Sequence, residues 1–239
     1  MTGLRYVYAV CRPFRAALQA ELTGVAGAPV GLLSHHGLVA VVSAVPKQDF
    51  AEEPLRAHLE DLDWLAATAR AHQGVVDALT TVTTPLPLRM ATVFRDDSGL
   101  RVMMEAREAE FARALDRLDE RVEWGVKVYT EAQSAVRAHE DLWQRAEEFA
   151  TRLHEMLSRY AEDSRLRAPQ NSALSGVSGR NVLNAAYLVP RADSEEFVEL
   201  VDGMKDDAPG MRVELAGPWA AYSFAGEEEA EGTEGEGKE

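Results

Sequence analysis

The sequence predicts an α+β protein of two domains. Strand-like runs rich in aromatic and β-branched residues alternate with amphipathic helical runs. These runs fall into two sets, separated by a highly charged helical stretch over residues 97–120. The chain has 239 residues, 46% of them hydrophobic, which is enough apolar material for one or two cores.

Residues 4–10, L-R-Y-V-Y-A-V, read as the first strand. Pro13 follows, and Phe14, Leu18 and Leu22 then share one side of a short helix over 14–22. Residues 30–45 read as two strands, with His35-His36-Gly37 at the hairpin turn. A continuous stripe of Leu55, Leu59, Leu62, Leu65, Ala69, His72, Val76 and Leu79 predicts helix over 54–81, with Gly74 as its weak point. T-T-P-L-P-L-R-M-A-T-V-F (83–94) reads as a strand opened by prolines. The order β-α-β-β-α-β is that of a ferredoxin-like fold, modified here by a long second helix.

Residues 97–119 form the next helix, with Asp97 or Ser98 as its cap, Val102, Ala106, Phe111, Leu115 and Leu118 as its apolar face, and many alternating charges suited to a solvated connector. In R-V-E-W-G-V-K-V-Y (121–129), Val122, Trp124, Val126 and Val128 alternate with Arg121, Glu123, Lys127 and Tyr129. That pattern predicts a half-buried strand. A long helix over 133–164 carries Leu142, Ala146, Phe149, Leu153 and Leu157. A polar loop (167–180) leads to a strand over 181–190. Asp193 or Ser194 caps a helix over 195–206, and M-R-V-E-L-A-G-P-W-A-A-Y-S-F ends the folded part. The expected division is 1–96 as an N-terminal ferredoxin-like domain, 97–120 as a connecting helix and 121–226 as a C-terminal α+β domain with long helices. Residues 227–239, almost all Glu and Gly, form a disordered acidic tail.

Charge narrows the partners. The formal net charge is −15, and the tail holds seven glutamates and one lysine. The rest of the chain is therefore acidic too, and such a surface repels phosphate backbones, so no nucleic acid is expected. No run of ~18 apolar residues predicts a membrane span, and the N-terminus lacks a signal-peptide core. A cytoplasmic protein follows. The one cysteine, Cys11, sits in a strand-like run and reads as a buried structural thiol.

The chemical motifs are missing. S-G-V-S-G-R (175–180) lacks both the dinucleotide-binding and the Walker spacing. There is no G-x-S-x-G and no H-E-x-x-H. His35 and His36 are adjacent, so their side chains are expected to diverge. His58 and His72 are fourteen residues apart, ~21 Å along a helix, too far to share an ion. Carboxylates fall beside arginines on helix faces, as in Glu105–Arg107–Glu108–Glu110. No catalytic residue, metal or cofactor is expected, and the chain does not read as an enzyme.

Candidate partner-binding residues are Arg89, set in an apolar run, Lys127 on the polar side of its strand and Asn184, which interrupts another. The aromatic residues Trp124, Trp219 and Tyr222 complete the set. The plainer reading leaves Arg89 and Lys127 on solvent faces and Asn184 in local hydrogen bonds.

Four pieces, in order, resemble the gas vesicle protein F/L family. They are Y-V-Y-A-V, P-L-R-M-A-T-V-F, V-E-W-G-V-K-V-Y, and the pair L-N-A-A-Y-L-V and G-P-W-A-A-Y-S-F. The match spans about residues 4–224. The resemblance implies an accessory or minor component of gas-filled protein shells, with no known enzymatic activity. It also implies contact with the hydrophobic shell protein and with other accessory proteins, in nucleation or assembly, and a place at the gas vesicle. Two departures stand out: Met90-Ala91 replace a more usual Phe-Gly, and alanines follow Pro218-Trp219 where the family tends to prolines. The alternative function is a ferredoxin-like ligand-binding or regulatory protein without a gas vesicle role.

Overall fold

The computed structural model of the chain describes residues 3–15, 22–130, 136–169, 179–205 and 207–226, with side chains left aside for 136–141. Helix and sheet are mixed throughout. Two compact units emerge: residues 1–118 with 224 onward, and residues 119–223.

The first unit is built on β1 (Leu4–Cys11). Its antiparallel partner on one side is β3 (Leu38–Val45), which pairs in turn with β2 (Val30–His35). On β1's other side lie β4 (Leu86–Pro87) and β5 (Val93–Phe94). A single prolonged strand over 83–94 is thus replaced by two short ones. Between them a turn closes, with Thr92 N–H donating to Arg89 O at 3.2 Å and Ala91 at φ +64°. The β2–β3 turn is the expected one: His36 and Gly37 both have positive φ, as a two-residue hairpin of the right twist requires. The two histidine rings do not diverge. They stack, with centroids 4.1 Å apart and planes at 16°, because positive φ at His36 swings its side chain back over its neighbour.

The helical run 54–81 breaks, but not at Gly74. Short helices α1 (Lys47–Phe50) and α2 (Glu52–His58) precede α3 (Leu62–Thr80). Asp61 sets the break, since its carboxylate accepts from Asp63 N and Trp64 N at 3.0 and 3.2 Å. Such a cap contributes ~1 kcal/mol, about what a mid-helix glycine costs, so Gly74 is carried within α3.

The expected connector 97–120 is two helices, α4 (Asp97–Ala106) and α5 (Glu108–Leu118), parted at Arg107. The cap is Asp96, one residue before those expected, accepting from Gly99 N at 2.9 Å. Leu100, Met104, Phe111, Leu115 and Leu118 are all buried, and both helices belong to the first unit. Of the expected apolar face, Phe111, Leu115 and Leu118 are buried, whereas Val102 and Ala106 are exposed and Leu100 and Met104 take their place in the core.

The second unit has the sheet order β7-β8-β6-β9, all antiparallel. Its strands are β6 (Arg121–Thr130), β7 (Asp163–Leu166), β8 (Asn181–Pro190) and β9 (Met211–Trp219). Its helices are α6 (Val136–Tyr160) and α7 (Ser194–Lys205). Residues 163 and 164, expected to end the long helix, instead open strand β7 with 165 and 166. Val122, Trp124, Val126 and Val128 face one core with Phe149, Leu153, Leu157, Tyr187 and Phe197. Burying each such side chain contributes roughly 1.5–3 kcal/mol. Yet β6 is not half-buried, since Glu123 and Tyr129 on its other face are only 4% and 2% exposed.

Some expectations fall outside the described residues: most of the 14–22 helix, the start of the 133–164 helix, most of the 167–180 loop and the whole of the 227–239 tail.

Candidate functional site

The six candidate residues occupy different settings. Arg89 is exposed in the β4–β5 turn of the first unit, where its carbonyl also accepts from Thr92 Oγ1 at 2.6 Å. The other five lie in the second unit. Trp124 is a core residue whose Nε1 points toward Ser194 Oγ at 3.4 Å, so it stabilises the unit and offers no docking surface. Lys127 and Asn184 are brought together as cross-strand neighbours, with Glu214 opposite Lys127 on the other side. Asn184 is buried and donates to Ala168 O at 2.8 Å, while its own carbonyl accepts from Arg167 N at 2.7 Å. Its interruption of the strand is therefore a local tie that holds the chain leaving β7. Trp219 ends β9 and is 41% exposed; Tyr222 lies half-buried in the 3-10 turn Tyr222–Phe224.

A buried acid organises the end of β9. Glu123 accepts from Ser223 N and Ser223 Oγ, both at 2.8 Å, and pairs with Arg167. A carboxylate this deeply buried needs such partners, and here they draw the last residues of the unit onto β6. Gly217 makes that approach possible. Its φ is +136°, and a Cβ there would lie 2.8 Å from Glu123 O.

The second unit has a groove of about 460 Å³ between α6 and α7, lined by Arg152, Glu155, Met156, Arg159, Tyr160 and Leu200. Arg152, Met156 and Arg159 recur at helical spacing along one side of α6. Met156, Tyr160 and Leu200 are partly buried against the core, and the charged lining is two arginines and one glutamate. Tyr160 is held in place by hydrogen bonds from its hydroxyl to Glu196 Oε2 at 2.9 Å and Asp193 O at 3.2 Å. Loss of surrounding solvent, then the Glu196 carboxylate, push its hydroxyl up to about 12, so the phenol stays neutral. Such a groove can accept the apolar face of a helix and pair an acidic residue at its edge.

None of these groove residues was singled out from sequence. The signal was present: Met156 and Tyr160 sit beside the Leu153–Leu157 stripe and widen it beyond what one packed sheet needs.

Cys11 is buried, and burial pushes its thiol up to about 12, which leaves it unreactive. Among the described residues no three metal-ligating side chains converge, and no helix is long and apolar enough to cross a membrane.

Comparison with known proteins gives one consistent result. The family model described as gas vesicle synthesis protein GvpL/GvpF matches residues 4–139 and 132–226. Gas vesicle protein L of a Streptomyces species is 54% identical over 93% of each chain. Gas vesicle protein F from the same Streptomyces strain is 25% identical over 92% of this chain and 98% of its own. Among solved structures, the crystal structure of GvpF from an Anabaena species superposes with a TM-score of 0.73 at 18% identity, over 93% of this chain and 96% of that one. GvpF from Microcystis aeruginosa gives 0.71 at 17%, over 95% and 100%. These two establish a shared fold.

Proposed function

Since this chain belongs to the gas vesicle synthesis protein GvpL/GvpF family, we propose that it is an accessory or minor structural protein that binds the hydrophobic shell protein and other accessory proteins during gas vesicle nucleation and assembly. The observation that carries this reading is the family match, which runs across both units from residue 4 to residue 226. The 54% identity to a protein L, against 25% to a protein F of the same strain, supports an L-type role.

The physics suits the task. A subunit that forms a gas-facing wall must be strongly apolar, and it aggregates when unaccompanied. An acidic partner can cover that surface while its own charge keeps the complex dispersed. The α6–α7 groove is our candidate seat for an apolar helix of the shell protein. Among the residues expected to bind partners, Arg89, Lys127 and Trp219 remain as candidates at the surface, with Asn184 and Tyr222 as their supports.

In the first unit, the sheet order β2-β3-β1-β4 with antiparallel neighbours supports a modified ferredoxin-like arrangement. We assign the Glu/Gly-rich residues 227–239 to a disordered, solubilising tail.

The test is co-purification of the shell protein with chains carrying Met156→Glu and Leu200→Glu. Both side chains are only partly buried, so the fold should survive, which circular dichroism checks. At least a tenfold drop in recovered shell protein is expected. Unchanged recovery with an intact fold would rule out the groove. Normal vesicles in a strain lacking this gene and any second copy would overturn the assembly role itself.

A further inference from the structure

The edges of the two sheets are not equally protected. In the first unit, edge strand β2 is guarded, because α4 packs against it and Arg101 Nη1 donates to Ser34 O at 2.8 Å. In the second unit, edge strand β7 has only four residues. Strand β9 has nine. Its inner side pairs with β6, and no strand among the described residues pairs with its outer side. Pro218 and the bulge beside it blunt the far end of this edge, whereas residues 211–215 ahead of them keep regular pairing with β6 and present a strand edge that another strand could take.

The residues on that edge are M-R-V-E-L, 211–215. Met211, Val213 and Leu215 are partly buried and pack at the margin of the core. Alternation along the strand puts Arg212 and Glu214 on the opposite face, where Arg212 Nε lies 3.2 Å from Glu214 Oε1. Arg212 also lies over the ring of Tyr129, at 5.0 Å. Both charged side chains remain about 40% exposed. Read from either end about Val213, the pattern is the same: apolar residues at the odd positions and one charge on each side, of opposite sign.

We propose that β9 pairs antiparallel with β9 of a second copy of this chain, on a two-fold axis through Val213. In that register Val213 faces Val213, Met211 faces Leu215, and each Arg212 faces the other copy's Glu214. The apolar residues then extend one core margin into the next, and the four charges alternate around the axis. A shift to an axis at residue 212 sets Arg212 against Arg212, and an axis at 214 sets Glu214 against Glu214. A one-residue slip places apolar residues on the charged face. Only one register joins like with like on the apolar face and unlike on the charged face. Arg212 and Glu214 already pair within the strand; a second copy in this register adds an opposite charge across from each, which an apolar strand from another protein does not, so the edge favours its own copy. A two-fold axis perpendicular to the sheet also places the α6–α7 layers of both copies on the same side. This pairing does not depend on the shell-binding groove.

The test uses the full chain, whose single native thiol, Cys11, is buried and silent. Residues directly opposite lie close enough for a disulfide, whereas diagonal ones are ~7–8 Å apart and do not. Under mild oxidation Val213→Cys is expected to form a disulfide dimer. Arg212→Cys and Glu214→Cys should each form several-fold less alone, and a mixture of the two should give the heterodimer. In sedimentation across about 5 to 300 µM, a range suited to a small interface, the native chain should show concentration-dependent dimer. Arg212→Glu and Glu214→Arg should each abolish it, and the double exchange should restore it. These surface variants keep the test valid even if Val213→Cys folds poorly. A native chain that stays monomeric across the range overturns the pairing. So does a dimer indifferent to single charge reversal, or self-crosslinking by Arg212→Cys equal to that of Val213→Cys.

Discussion

Each unit holds a histidine of its covering helix with a tyrosine of its sheet, and the two pairs sit in different surroundings. In the first unit Tyr6 Oη lies 2.9 Å from His72 Nδ1; in the second, Tyr187 Oη lies 2.8 Å from His154 Nδ1. His72 is buried against Tyr6 and Tyr8, with ring centroids 5.7 and 5.5 Å away. Burial drives it from an ordinary 6.5 down to about 4. His154 is partly exposed and has a second hydroxyl near, Ser158 Oγ at 3.3 Å. Its pKa is lowered too, by weaker desolvation that the nearby Glu155 offsets. The same pairing is therefore a closed, neutral contact in one unit and a solvated one in the other. What differs is access to water, not the chemistry of the pair.

The first way to break this comparison acts next to Tyr8. Its hydroxyl accepts from Val25 N and donates to Ser43 Oγ, which donates to Pro29 O, each at 2.9 Å. A Cβ on Gly24 would sit 1.9 Å from Tyr8 Oη and 2.9 Å from Ser43 Oγ. Gly24→Ala must therefore displace the whole relay, and about 2–4 kcal/mol of lost stability is expected in denaturant melts. The chain from Tyr187 through His154 to Ser158 and Ser164 is only part-buried, so a loss below about 1 kcal/mol would show that the first unit is no more tightly packed than the second.

Acid is the second. His72 titrates at about 4 in the folded chain and at an ordinary 6.5 when unfolded. Above pH 6.5 both states are neutral and the contribution is fully present. As pH falls from 6.5 to 4 the unfolded chain takes up the proton first, and about 3 kcal/mol is lost. His72→Gln should flatten the pH dependence of unfolding in that window. His154→Gln should leave most of it in place, and the reverse result would break the contrast.

Removing the hydroxyls comes third. Tyr6 Oη also accepts from Ala91 N at 3.1 Å, so Tyr6→Phe removes one buried and one part-buried hydrogen bond and should cost about 1–2 kcal/mol. Tyr187→Phe should cost about half of that or less, because Ser158 and water remain to His154. Equal losses in urea titrations would make the two pairs equivalent.

The smallest effect sharpens the first unit. Ala91 is held at φ +64°, a conformation that favours glycine. Ala91→Gly should raise stability by about 0.5–1 kcal/mol, a small rise in melting temperature.

Much of the architecture was legible. The 121–129 alternation assigned the core side of β6 correctly, because Val122, Trp124, Val126 and Val128 differ sharply in polarity from their neighbours. The His36-Gly37 turn was legible because few residues accept positive φ. Other features were not. Asp61, an ordinary helix residue by composition, ends one helix and starts another through two backbone hydrogen bonds. Residues 163–166 have no apolar alternation and become strand by pairing with β8. Five groove side chains fall within residues 152–160, but Leu200 comes from a helix forty residues on, so a local window shows one wall and not the groove.

By itself the sequence determined the mixed α+β class, the apolar faces of the strands, the buried Cys11 and the family. Each of these depends on local periodicity or on short ordered motifs, which need no knowledge of distant neighbours. Only the tertiary structure decided that Glu123 is buried and tied to Ser223, and that no strand among the described residues takes the outer side of β9. Those outcomes depend on which segments meet across long stretches of chain. A polar residue reads the same in sequence whether water or a partner satisfies it.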